Sequence, residues 1–216
     1  GVDVFRLKSK RQSLFKSNPI EMLSWIKECK KFLPTLMTTR EFDLCLANFA
    51  LPGGEVALFL KRKYNLPFFV LSHGHDIPWV KPYWQLAPLH LVAYRRLKKI
   101  CNESEKNFVQ SAAMLQNINK FLGPLNTSKN IIIPNGIEIK CIQERLPIKR
   151  RLRVIFVGRL VPQKDPGTLL KAIKKINDDQ IHFCLDIYGD GLLRPKLERY
   201  VKKKMPSARI NFHGKV

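Results

Sequence analysis

Four short segments carry residues whose types and spacing could do chemistry. The first is Gly158-Arg159-Leu160-Val161-Pro162-Gln163-Lys164-Asp165-Pro166-Gly167, between an apolar run and a helical pattern. Gly158 allows a sharp backbone turn, and Arg159 and Lys164 stand at the two ends of a short loop. A guanidinium fork and an ammonium point charge held there could grip a diphosphate. Asp165 before Pro166 is an N-cap and N1 pair, which starts a helix and aims its positive end into the same space. The rival reading is a solvated loop with two surface cations. The second segment, Tyr188-Gly189-Asp190-Gly191-Leu192-Leu193, offers a Gly-x-Gly turn through which backbone can approach a phosphate or sugar; such a turn serves equally to change chain direction. The third, Phe212-His213-Gly214-Lys215-Val216, could present backbone groups to a nucleobase. The fourth, Ser72-His73-Gly74-His75-Asp76, puts a histidine where it could bond a sugar hydroxyl or orient an acceptor. Metal ligation by His73, His75 and Asp76 is the sharper alternative, but three ligands within four residues is poor geometry for zinc. A histidine of purely structural role is the plainer one. The sequence has no G-x-S-x-G elbow, no Walker A loop and no Cys–His nucleophile pattern.

These segments need strands and helices to position them, and short apolar runs alternate with helical patterns along most of the chain. Strands are expected at Val2–Phe5, Asp43–Ala47 (a buried one), Phe68–Leu71, Asn107–Gln110 and Ile131–Ile133. Helices are expected from Pro19 to about Phe32, Gly53 to Tyr64, within Pro82–Lys99, and from a Ser111 cap to Leu122. Lys140–Arg151 has no sustained period and reads as a linker. The rhythm then restarts with strands Arg153–Val157, His182–Tyr188 and Ile210–His213, and helices Pro166–Ile176 and Leu193–Met205. Strands alternating with helices imply right-handed βαβ units and parallel sheets. The expected organisation is an α/β chain of two Rossmann-like domains, 1–140 and 153–216, joined by 141–152. The second series is half of a doubly wound domain, so both domains are expected to be incomplete here. In open parallel sheets ligands bind beyond the carboxyl ends of the strands, where all four segments fall.

Composition sets the outer limits. Apolar residues make up 45% of the 216, enough for a core. Lys and Arg number 39 against 17 Asp and Glu, a net charge of +22 that attracts polyanions of any kind. Cys29, Cys45, Cys101, Cys141 and Cys184 form no CxxC pair, which argues against a disulfide framework or zinc site and suits a reducing cytoplasm. No apolar run approaches the ~20 residues of a membrane-spanning helix, and Gly1–Phe5 lacks the pattern of a signal peptide.

Taken in order, the segments resemble the family-4 (group 1) glycosyltransferases of the GT-B fold. The matching stretches are Leu71–Asp76, Ile132-Ile133-Pro134-Asn135-Gly136-Ile137, Phe156–Asp165, Tyr188–Arg194 and Phe212–Val216. The resemblance implies a transferase that moves a sugar from a nucleotide-sugar donor to a glycan or lipid-linked acceptor, with retention of configuration and without a metal or other cofactor. It implies a donor site on the second domain and an acceptor site on the first, facing each other across a cleft. Gly158, Arg159, Lys164, Gly189, Gly191 and the backbone at Val216 would bind the donor, and His73 would line the catalytic cleft. The family's Gly-rich loop would lie before Gly1 and its Glu-x7-Glu region after Val216, so the 216 residues alone are expected to be inactive. An anionic membrane surface is a further expected partner, met by Lys8-Ser9-Lys10-Arg11, Arg95–Lys99 and the aromatics Trp79, Tyr83 and Trp84. The expected location is then cytoplasmic, including a peripheral place at the inner membrane face. Two rivals stand beside this reading. A basic nucleic-acid-binding α/β protein fits the charge, although no RRM, helix-turn-helix or zinc-finger pattern is present and no nucleic acid is expected. A non-catalytic sugar-nucleotide-binding protein fits the fold.

Overall fold

A computed structural model describes residues 1–12, 17–74, 76–78, 87–138, 152–178 and 183–216. His75, Trp79, Tyr83, Trp84 and the Lys140–Arg151 linker lie outside the described residues. The chain divides into two compact units, Gly1–Glu138 and Ile139–Val216.

The first unit opens without the strand expected at Val2–Phe5. A strand needs a partner to pair with. Here the Phe5 ring packs on Phe32 at 5.2 Å, and the Arg40 guanidinium lies 5.4 Å over it. Helix α1 (Pro19–Thr39) begins with a capping box, Asn18 accepting from the Glu21 N–H and Glu21 from the Asn18 N–H. It runs seven residues past Phe32 (39 − 32), through Pro34. Proline forfeits one backbone donor, yet Trp25, Ile26, Cys29 and Leu33 hold the helix on Val56 of α2 (Gly54–Tyr64). Packing of an apolar stripe outweighs one missing bond.

Four strands follow, β1 (Cys45–Asn48), β2 (Phe68–Leu71), β3 (Asn107–Val109) and β4 (Asn130–Ile132), all parallel in the order β1-β2-β3-β4. In strand β1 only Ala47 is buried, facing the helices, while Leu46 lies on the opposite sheet face and is 50% exposed, where a buried strand was expected. Helices α3 (Ala87–Glu103) and α4 (Ala112–Leu122) complete the unit. The Ser111 hydroxyl caps α4 by accepting the Met114 N–H at 3.3 Å. Phe68, Val70 and Val109 on one sheet face pack with Leu58 of α2, Leu97 and Ile100 of α3, and Ile118 and Phe121 of α4. Burying each such side chain contributes ~1.5–3 kcal/mol. The other face carries Leu46, Phe69, Leu71, Phe108 and Ile131 and is half-open, with Phe69 and Phe108 stacked at 5.7 Å.

The second unit has strands β5 (Leu152–Val157), β6 (Phe183–Tyr188) and β7 (Arg209–Gly214), parallel in that order. Helices α5 (Pro166–Asp178) and α6 (Arg194–Lys204) bring Leu170, Ile173 and Leu197 onto Phe183, Leu185 and Ile187. The opposite face is open, leaving Ile155 60% and Val157 71% exposed. On that face Asp186 is buried and ties the three strands together. Its carboxylate accepts from Arg153 Nε (2.8 Å), Asn211 Nδ2 (3.0 Å) and His213 Nε2 (2.8 Å). These bonds, that from His213 first, hold the Asp186 carboxyl well below the ordinary range.

Candidate functional site

Parallel pairing puts every strand's carboxyl end at one edge of its sheet, and in each unit that edge gathers the polar groups.

In the first unit a chain of side chains crosses the edge from β1 to the turn after β4. Asn48 ends β1, His73 stands two residues past β2, Gln110 one past β3 and Asn135 three past β4. His73 Nε2 lies 3.0 Å from Asn48 Oδ1, and Gln110 Nε2 donates to His73 Nδ1 at 2.9 Å and to Asn135 Oδ1 at 2.8 Å. The His73 ring packs on Phe49 at 4.6 Å. Phe49 has φ 67°, a left-handed conformation costly for a bulky residue, and strain of this kind collects where a side chain must be held in a set place. Asp76 fixes the backbone around both residues: its two carboxylate oxygens accept from the His73 N–H (3.1 Å) and the Ala50 N–H (2.8 Å). Both oxygens of Asp76 are therefore engaged by backbone, which disfavours the metal reading of this segment, and His75 lies outside the described residues. Sequence reasoning singled out His73. It placed Asn135 in a matching stretch and Gln110 at a strand end without giving either a role, and missed Asn48. The signal that marks all four is an amide or imidazole at, or within three residues of, the end of a parallel strand.

In the second unit three loops zip together beyond the strands. The Gly158 N–H donates to Tyr188 O (2.9 Å), the Leu160 N–H to Asp190 O (2.9 Å), the Leu193 N–H to Leu160 O (3.0 Å) and the Gly189 N–H to Gly214 O (2.6 Å). The glycines are required by this closeness. A Cβ on Gly189 would lie 2.0 Å from Gly158 O, and one on Gly191 2.5 Å from Leu160 O. What approaches these glycines is the backbone of the neighbouring loop. Arg159 and Lys164 both stand exposed on the loop that leaves β5, and Arg159 reaches Gln163 Oε1 at 3.4 Å. Asp165 caps α5 as its sequence suggests: its carboxylate accepts from the Thr168 hydroxyl (2.7 Å) and the Thr168 N–H (3.3 Å), bonds that lower its pKa. Asp165 does so from a left-handed φ of 42°, a conformation that aspartate tolerates better than most residues. Gly158, Arg159, Lys164, Gly189 and Gly191 thus belong to one loop cluster, and Val216, 85% exposed, lies two residues past Gly214. Two residues here stood in the quoted stretches without a role of their own. Asp190 accepts the Gly191 N–H at 2.7 Å, and Arg194 in the first turn of α6 pairs with Asp190 (3.1 Å) and Glu198 (2.8 Å). The Tyr188 and His213 rings stack beside them at 4.4 Å.

Residues 2–140 match the family described as Glycosyltransferase Family 4, and residues 139–216 match Glycosyl transferases group 1. The chain is 26% identical over 181 residues to an uncharacterized glycosyltransferase of Methanocaldococcus jannaschii, MJ1178, covering 84% of this chain and 46% of that protein. It is 24% identical over 173 residues to a putative teichuronic acid biosynthesis glycosyltransferase of Bacillus subtilis, TuaC, covering 72% and 42%. The chain therefore spans about half the length of the curated relatives it matches. Among solved structures, TarM of S. aureus superposes with a TM-score of 0.64 at 16% identity, over 88% of this chain and 36% of that one. The pneumococcal O-GlcNAc transferase GtfA, solved with UDP and GlcNAc, superposes with a TM-score of 0.60 at 15% identity, over 86% and 37%. These likenesses show the fold, an α/β arrangement with parallel sheets of the GT-B kind.

Proposed function

The chain belongs to glycosyltransferase family 4, and from that premise we propose that its parent protein moves a sugar from a nucleoside-diphosphate sugar to a hydroxyl of a glycan or lipid-linked glycan, with retention of configuration. The observation that supports this most is the loop cluster beyond β5–β7, where Arg159, Lys164 and the first turn of α5 stand at the carboxyl edge of a parallel sheet. The GtfA structure, solved with UDP and GlcNAc, supports a nucleoside diphosphate as the donor's leaving group. In the reaction the acceptor oxygen forms a bond to the anomeric carbon while the bond to the diphosphate oxygen breaks, and the electron pair departs with the diphosphate. Arg159, Lys164 and the positive end of α5 meet that growing charge, without need of a metal. Gly158, Gly189, Gly191 and the backbone at Val216 shape the donor site, and His73 contacts a sugar oxygen. Among the described residues no helix is long and apolar enough to cross a membrane. Lipid-linked acceptors would be met at an anionic surface through exposed Arg95 and Lys99 on α3, whose neighbours Leu91 and Val92 are also exposed. Each such cation adds ~1 kcal/mol near anionic lipid.

Two measurements test the reading on the full-length protein. A thermal-shift panel of UDP-, GDP- and ADP-sugars should show stabilisation by one of them; no response to any, with a shift on adding nucleic acid, would favour the rival reading. Arg159→Ala should lower turnover by ~100- to 1,000-fold, the usual effect of deleting one preorganised donor to a developing anion. A variant as fast as the parent would remove Arg159 from the donor site.

A further inference from the structure

Both ring nitrogens of His73 are engaged by groups that can each play one part only. The partner at Nε2 is the carbonyl oxygen of Asn48, which accepts and cannot donate. The partner at Nδ1 is the amide nitrogen of Gln110, which donates and cannot accept. Nδ1 is therefore bare and Nε2 carries the hydrogen. Gln110 has two amide hydrogens, and the second goes to Asn135 Oδ1 at 2.8 Å in the Pro134-Asn135-Gly136 turn. With its nitrogen toward the ring, the Gln110 amide serves both bonds at once. Both ends of this array, Asn48 and Asn135, are exposed, while His73 and Gln110 between them are half-buried, so the Nδ1 side of the ring is closed by Gln110 and the Nε2 side opens onto an exposed partner.

We infer that Gln110 is a positioning residue, which holds His73 in the tautomer that presents an N–H at Nε2, so that the ring meets substrate as a hydrogen-bond donor to a sugar oxygen and not as a base. The inference rests on the placement of His73 at the sugar, under the function proposed above. Its second part follows from geometry. A ring whose bare nitrogen is turned inward to Gln110 has no free lone pair for an acceptor hydroxyl. A ring whose N–H is shared with an exposed carbonyl can give that hydrogen to an incoming oxygen that takes the place of Asn48, with the ring itself staying where it is. Phe49, strained and packed against the ring at a tilt, and Asp76, bonded to the His73 backbone N–H, hold the ring and its main chain in place while this happens.

Nitrogen-15 NMR of the histidine rings in the full-length protein reads the tautomer directly, with His73 assigned by the signals lost in His73→Ala. In the parent, His73 should show an unprotonated Nδ1 and a protonated Nε2. Gln110→Glu replaces the donor with a carboxylate, which accepts, so the proton should move to Nδ1. Near-isosteric Gln110→Met should leave a mixture of the two forms. Turnover should fall by up to ~100-fold in Gln110→Glu, the scale set by misplacing a reacting group, with KM for the nucleotide sugar unchanged and less loss in Gln110→Met. A parent protein with the proton on Nδ1, or the same tautomer in parent and Gln110→Glu, overturns the inference. So does a complete switch of tautomer with unchanged turnover. A fully active His73→Ala protein would instead remove His73 from the reaction, while the ring signals would still decide whether Gln110 sets its tautomer.

Discussion

Asn107 is fully buried at the start of β3 and uses its whole amide. It donates to Cys101 O and to Asn130 Oδ1, each at 3.0 Å, and accepts from the Ser104 hydroxyl at 2.9 Å. The end of α3 is thereby tied to β3 and β4. Asn107→Ala leaves the buried Asn130 carbonyl oxygen without that donor, so urea unfolding should show a loss of ~2–3 kcal/mol. A loss under about 0.5 kcal/mol would be the size of an ordinary surface change, and would refute the tie. Asp186 makes a second prediction. The His213, Asn211 and Arg153 bonds lower its folded-state pKa below the ~3.9 of an unfolded aspartate. The unfolded chain thus binds the proton first as pH drops. The stability from this carboxylate is complete above about pH 4 and is lost as pH falls from there toward the folded value. Unfolding midpoints of the parent and Asp186→Asn should therefore be well separated at neutral pH and draw together in acid. A constant separation would show that the ionised form is not the stabilising one. At this scale the sequence singled out His73 and Arg159, each next to a Gly, and Lys164 at the far end of the loop that Arg159 opens. It was silent on Asn107 and Asp186, since burial is what makes either matter.

Elements were legible where their signals are local. Ser111 and Asp165 cap α4 and α5 with their own side chains, and Phe68–Leu71 is a strand with the limits its aromatic and β-branched residues predict. Two expectations failed because the deciding contacts are distant. The Val2–Phe5 run has strand composition but packs on α1, and α1, expected to end near Phe32, is carried on through Pro34 by its seat on α2. The turns after β5 and β6 show the same dependence. Gly189 reads as a direction change or a phosphate loop, yet it is the surface against which the Gly158 carbonyl rests. Gly189→Ala forces a Cβ to within 2.0 Å of that oxygen, so the two loops must part. The expected result is a loss of ~1–3 kcal/mol in thermal unfolding, typical of overpacking, together with weaker nucleotide-sugar binding. A variant of unchanged stability and affinity would mean that the loops are not locked together.

Across the whole molecule, each sheet is covered by helices on one face and is open on the other, where Leu46, Ile131, Ile155 and Val157 are exposed. Large exposed apolar patches are unusual on monomeric soluble proteins. Expressed as these 216 residues, the chain should bind a hydrophobic dye such as ANS while folded and should self-associate with rising concentration; neither effect would show that the open faces are covered after all. The sequence by itself determined the alternation of strand and helix, hence parallel sheets, hence a carboxyl edge at which Arg159, Lys164 and His73 must fall. That information is local, carried by periodicity and by Gly and Pro at the ends of elements. Only the tertiary structure decided which residues meet at the edge. Asn48, His73, Gln110 and Asn135 are separated by 25, 37 and 25 positions. Strand order and register bring them together, and both are set by which faces bury their apolar side chains, not by any pattern within one segment.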